Sequence, residues 1–291
     1  MHRLQRRPMA MAIKCHSNLV ALTFSQKEPN QTRLVFTDQA GHWYNAEGKS
    51  AHVIIGKTGL ERNTTVGDAR KLGLYPSVTS VLAAMAKPQL TNWQMEQVLL
   101  ASINIAREPD ESLESYAKRV IKASKEQTTK AAEHGTRMHE EMEKILMGQE
   151  TSKDERMAPY IKTFKEWAAE NVTKTHWCER ALVGAGYAGR CDALVDLKGV
   201  GTCIIDLKNR KVNDRYEPFF ETDVAQLAAY RMAWGDTSVG CVSIVLAAND
   251  PEKIVTRVWD EREICEAYQA FSALLKVWAW VKQYTPPGMK L

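Results

Sequence analysis

The 291-residue sequence contains no C-x-x-C pair. Its six cysteines, at 15, 178, 191, 203, 241 and 265, stand singly. That spacing matches neither a zinc ribbon nor an iron–sulfur ligand set. A chain of this length buries a full core without staples, so the cysteines are read as reduced, mostly buried thiols of a reducing compartment. No apolar run reaches the length of a membrane helix, and a soluble, cytoplasmic protein is expected. Internal repeats and low-complexity tracts are missing too. A strong charge imbalance is also absent: 39 Lys and Arg against 35 Asp and Glu leave +4, which permits a polyanionic partner without demanding one. The first 27 residues hold no acid but carry Arg3, Arg6, Arg7, Lys14 and Lys27. They fit a frayed basic terminus, with a mitochondrial presequence as the minor alternative.

What is present is ordinary globular usage, 44% hydrophobic and 25% charged. Apolar runs alternate with turn residues over 19–56, which predicts a β-hairpin or small meander that includes Leu34–Phe36, Trp43-Tyr44 and Val53–Ile55. Residues 57–75 read as a polar linker. Ser77 or Thr79 caps a helix running to about Met85. Pro88 interrupts, a second helix covers Leu90 to about Ile105, and 111–147 is helical up to Gly148. Three short apolar runs follow, Trp177–Val183, Tyr187–Leu197 and Thr202–Lys208. Glycines separate them, and they read as antiparallel strands. A helix over 221–235, strands at Cys241–Ala247 and Ile254–Trp259, and an amphipathic helix over 260–284 complete the chain. This order predicts an α/β fold, a mixed β-sheet flanked by helices. An N-terminal accessory region over 1–110, with its hairpin and helical arch, precedes a core over 111–291.

Several polar residues interrupt the apolar runs. On a strand, Asp206 and Lys208 share one face. An Asp in such a strand is costly unless it is paired or holds a metal, so an ion pair and a metal site are both open. Asp192 interrupts the preceding run, where alternation puts Arg190, Asp192 and Leu194 on one face. Two carboxylates on neighbouring strands repel, and a divalent cation relieves this. Oxygen ligands favour Mg²⁺ or Mn²⁺; a solvated Asp192 is the alternative. Glu179, one strand earlier, either completes an acidic cluster or pairs with an Arg. Gly135, His139 and Glu143 form one helical stripe. A mid-helix glycine suggests close backbone approach, and His139 is either a metal ligand or a packing residue. Gln226 and Tyr230 share a helix face, as a polar edge or as a substrate-contacting pair.

The ordered set is G-x-x-x-H on a helix, E on a strand, G-x-x-D on a strand, D-x-K fourteen residues on, and Q-x-x-x-Y on the next helix. It resembles the PD-(D/E)XK nuclease superfamily, and within it the RecB-like exonuclease branch. More loosely, Tyr75–Thr79 with Lys87-Pro88 and Trp93 is similar to phage exonucleases and mitochondrial genome maintenance exonucleases. The resemblance implies a restriction-endonuclease-like core. It implies that His139, Asp192 and Asp206, with the carbonyl of Leu207, bind one or two Mg²⁺ or Mn²⁺ ions. Lys208 acts on the attacking water and the phosphate, Glu179 holds a second ion or a water, and Gln226 and Tyr230 meet the substrate. Apart from the resemblance, Arg190 and Arg210 lie in a basic cluster that fits phosphate-backbone contact or a solvated charge run. Lys211 and Arg215 add to the basic cluster. Two departures are that no Pro precedes Asp192 and that the flanking cysteine clusters are missing, so no iron–sulfur cluster is expected. The implied activity is metal-dependent DNA exonuclease action on single strands or duplex ends, in phage, repair or recombination settings. A recombination or replication protein is a possible partner. An endonuclease of the same fold and a non-catalytic nucleic-acid-binding domain are the alternatives. Trp93 and Tyr116 are candidates for base stacking or core packing.

Overall fold

The computed structural model describes residues 41–85, 88–213 and 215–290, with the backbone alone described at 88–90 and 126–132. The basic N-terminal segment, the run at Leu34–Phe36, Cys15 and Lys87 lie outside the described residues. The elements in order are β1 (Trp43–Tyr44), β2 (Val53–Ile55), β3 (Glu61–Asn63), α1 (Val66–Leu72), β4 (Tyr75–Pro76), α2 (Val78–Leu82), α3 (Pro88–Asn104) and α4 (Leu113–Leu146). Then come α5 (Ala158–Asn171), β5 (Val172–Gly184), β6 (Tyr187–Leu197), β7 (Gly201–Arg210), α6 (Glu221–Trp234), β8 (Gly240–Ala247), β9 (Ile254–Trp259) and α7 (Glu261–Lys282).

Five strands form one mixed sheet in the order β5-β6-β7-β8-β9. Tight turns keep β5, β6 and β7 antiparallel, while β8 runs parallel to β7 because α6 carries the chain back across the sheet. Helices cover both faces, which is why β8 and the first half of β7, up to Ile205, read as largely apolar runs. On one face Val81 of α2, Leu227 of α6 and Phe271 of α7 pack with Leu194 and Ile204. On the other, Met138 and Met142 of α4 and Phe164 of α5 pack with Ala193, Val195, Ile205 and Ile244. The crossover places the first turns of α6 directly after the D-x-K segment of β7.

Three expectations are corrected. The polar stretch 57–75 is not a linker. It contains β3, which pairs with β2, and α1, which starts at a Thr65–Asp68 capping box. Trp43-Tyr44 turns back locally, with Tyr44 bridging Ser50, and its other edge pairs with Tyr75-Pro76 beyond that stretch. A helix, α5, occupies a stretch assigned to no element. It lacks a side-chain N-cap, but Pro159 near its start and the helical spacing of Met157, Ile161, Phe164 and Trp167 mark it. Finally, nothing among the described residues lies within 4 Å of a Cβ built on Gly135, so close approach to the sheet does not explain that glycine. Pro88 opens α3 rather than merely ending a helix, and Ser77 is the cap of α2.

The apolar face of α5 closes one side of the sheet. Phe164 is fully buried against the sheet. Phe164→Ala is expected to lower unfolding free energy by about 3–5 kcal/mol in urea titration. A loss under ~1 kcal/mol would show that α5 is peripheral to the core.

Candidate active site

The site lies where the sheet comes apart. The β6–β7 ladder runs from Leu197↔Gly201 to Ala193↔Ile205 and pairs no further. One residue beyond, the Asp192 carboxylate takes the place of a strand partner, as its Oδ2 accepts the Leu207 N–H at 2.6 Å. Strict alternation also fails here. Ala193 packs on the α4 side of the sheet while Cys191 packs on the α6 side. The strand therefore changes phase at Asp192 and does not carry Arg190, Asp192 and Leu194 on one simple face.

Across the strand pair, Cys178↔Ala193 and Arg180↔Cys191 are partners, which sets Glu179 opposite Asp192. Glu179 has φ +48°. A left-handed backbone costs a non-glycine residue about 1 kcal/mol or more, and such strain gathers at functional sites. From α4, His139 brings Nδ1 to 3.7 Å from Asp192 Oδ2, and the backbone of Leu207 hydrogen-bonds the same imidazole. Ligand atoms of His139, Glu179 and Asp192 all lie within 4.8 Å of one another. Burial pushes the Glu179 carboxyl up to about 7, with Asp192 and Glu143 adding like charge. Burial also holds His139 below its ordinary value, so near neutral pH it is the uncharged form that ligates metals.

Asp206 stands outside that trio and deeper in the sheet. Its side chain is 1% exposed. Oδ1 accepts a hydrogen bond from Lys208 Nζ at 2.6 Å, while buried Oδ2 has no partner among the described residues. Burial raises the Asp206 carboxyl against the pull of Lys208. Burial works against the Lys208 ammonium as well, but Asp206 and Asp192 outweigh it and keep the lysine charged. Behind Lys208, Gln226 Oε1 accepts from Nζ at 3.5 Å, and Gln226 Nε2 donates to the Tyr230 hydroxyl at 3.4 Å. The i, i+4 spacing on α6 sets this order.

This arrangement fits a divalent cation. An unpartnered buried carboxylate oxygen is expensive unless something caps it. The donors are one neutral imidazole and several carboxylate oxygens, the set suited to a hard or borderline ion. Burial pushes the nearby Cys178 thiol up to about 12, so it supplies no thiolate.

The remaining predicted residues are placed as follows. Arg190 is half-exposed, 3.7 Å from Glu179. Arg210 forks onto buried Asp223 at 2.9 and 3.0 Å and lies over the Phe220 ring, so its guanidinium is committed to the start of α6. Tyr116 donates to the carbonyls of Ser102 and Ile105, clasping the end of α3 to α4. Two neighbours escaped the sequence: Tyr44 and His52 both feel Arg190, and Tyr44 hydrogen-bonds its backbone. Neither carries a motif, and only the fold brings them near.

The raised Glu179 carboxyl sets a pH dependence for the metal-free protein. The folded state keeps this proton up to about pH 7, whereas the unfolded chain loses it near its ordinary 4.5. Stability therefore falls as pH rises through that window. Glu179→Gln is expected to flatten part of the decline and to unfold at higher temperature than wild type at about pH 8 in chelator. Parallel curves for the two proteins would contradict this.

Comparison with known proteins follows the same line. The model of the PD-(D/E)XK nuclease superfamily matches residues 98–281. No curated protein matches the chain significantly. Among solved structures, the crystal structure of SSO0001 aligns with 64% of this chain and 86% of its own, at 15% identity and a TM-score of 0.27; a likeness that slight carries no argument. The family match spans more than half of the chain, from the end of α3 to the end of α7, and takes in every strand of the opened sheet. It follows that the chain belongs to the PD-(D/E)XK nuclease superfamily, and a nuclease domain implies a nucleic-acid substrate.

Proposed function

We propose that the protein is a Mg²⁺- or Mn²⁺-dependent DNA exonuclease that hydrolyses phosphodiester bonds from single-stranded or duplex ends. The observation that carries the metal-dependent nuclease reading is the buried Asp206 oxygen without a partner beside the Lys208 ammonium. The motif order from His139 to Tyr230, with its resemblance to the RecB-like branch, supports exonuclease rather than internal cutting.

In this reading His139, Asp192, Asp206 and the carbonyl of Leu207 hold the cation, and Glu179 holds a second ion or a water. A bound divalent ion neutralises phosphate oxygens and lowers the pKa of a coordinated water. The protein's own groups do the rest. Lys208, fixed by Asp206, stabilises charge growing on the phosphate and orients the attacking water. Gln226 and Tyr230 brace that ammonium from behind. Arg190 is free enough to meet the nucleic-acid backbone, and Arg210 acts on the substrate by holding the start of α6. Residues 1–110 serve as the accessory part that selects a strand end, and 111–291 as the part that cuts. A recombination or replication protein would supply such ends.

End-labelled linear DNA and closed circular DNA, each with Mg²⁺ or with chelator, test this. Linear DNA is expected to be degraded only with Mg²⁺, the circle is expected to survive, and Lys208→Ala is expected to slow digestion by roughly a hundredfold or more. Cutting of the circle would select endonuclease action. Equal activity in Lys208→Ala, or no Mg²⁺-dependent product, would overturn the reading.

A further inference from the structure

Gly189 opens the G-x-x-D segment, yet no role has been attached to it. Its backbone is not left-handed, so conformational freedom is not what the position demands. Space is. A Cβ built there meets Tyr230 Cε1 at 2.8 Å, the hydroxyl at 3.1 Å and Cζ at 3.4 Å. Real Cβ atoms do not approach an aromatic ring at 2.8 Å. The ring cannot swing aside into solvent, because Tyr230 is 3% exposed within the cluster that joins α6 to the sheet. Any side chain at 189 therefore pushes Tyr230 back by about half an ångström toward α6.

Tyr230 passes that displacement on. Its hydroxyl receives Gln226 Nε2, and Gln226 Oε1 receives Lys208 Nζ. Both contacts are already long, at 3.4 and 3.5 Å, so a small shift of the Tyr230 hydroxyl loosens the first and leaves the Gln226 amide, and with it the second, without its anchor. Among the described residues, the other tether of Lys208 is Asp206. We infer that Gly189 is a positioning residue for Lys208: its missing side chain seats Tyr230 against β6, and Tyr230 and Gln226 together set where the ammonium stands. The inference rests on the nuclease reading proposed above and adds to it the reason why the segment begins with glycine.

The experiment compares kcat and KM on end-labelled DNA, per folded molecule, for Gly189→Ala made in the wild-type chain and in a Gln226→Ala chain. In the wild-type chain the alanine is expected to lower kcat on the order of tenfold with KM unchanged, since small misplacement of a reacting group is costly. In the Gln226→Ala chain, where the linkage is already cut, the same alanine is expected to change kcat by less than about twofold. Equal losses in both backgrounds, or none in the wild-type chain, overturn the inference. Should Gly189→Ala fail to fold, Gly189→Ala/Tyr230→Leu removes the clash and is expected to match Tyr230→Leu alone in kcat; a slower double variant overturns the inference. A wild-type protein without nuclease activity removes the underlying reading and this inference together, whereas equal kcat in active wild type and Gly189→Ala removes only this one.

Discussion

The structure around the site is organised by one buried ion pair left half-finished. Asp206 lies in the centre of a sheet covered on both faces, and only one of its two oxygens is satisfied. Such a pair is weak support for stability, because desolvation of both charges offsets much of their attraction. It persists because the neighbouring strands and α6 hold Lys208 against it. The cost and the chemistry share one origin: a carboxylate kept from water has a strong demand for positive charge, from an ammonium on one side and a cation on the other.

The same tension recurs one layer out. Asp192 leaves the sheet ladder to take a backbone N–H, Glu179 sits opposite it in a left-handed conformation, and burial resists the charge on Glu179. The hydrogen bond offsets part of this cost, but the strained backbone and the buried carboxyl of Glu179 do not stabilise the fold. Each becomes favourable once positive charge arrives, so the site and its occupant are coupled through folding stability as well as through catalysis.

Most of the strand-helix order was legible because both-face burial writes itself as apolar runs and α6 and α7 carry clear helical periods. The residue types of the site were legible for a related reason: a carboxylate in an apolar strand is conspicuous. Where reading failed, the signals were short or absent. Thr65 and Asp68 form a capping box inside a stretch whose polarity suggested a linker. α5 has no side-chain cap. The alternation rule placed Asp192 on a regular face, but the strand changes phase at that residue, and alternation cannot foresee a break in its own period. Arg210 was read as a substrate contact, yet Asp223, thirteen residues on, binds its guanidinium. Tyr44 and His52 are held together by the local turn-back of the chain, and the pairing of Trp43-Tyr44 with Tyr75-Pro76 is long-range.

The parting of β6 from β7 has one more effect. Where a ladder ends early, backbone groups are left facing a gap, and a gap of that kind invites a foreign extended segment to zip in, the usual route to clumping of sheet proteins. Here the invitation is withdrawn. The Leu207 amide is already taken by Asp192, which leaves an incoming strand no free donor there. The acid that interrupts the ladder thus also closes an open seam against misassembly.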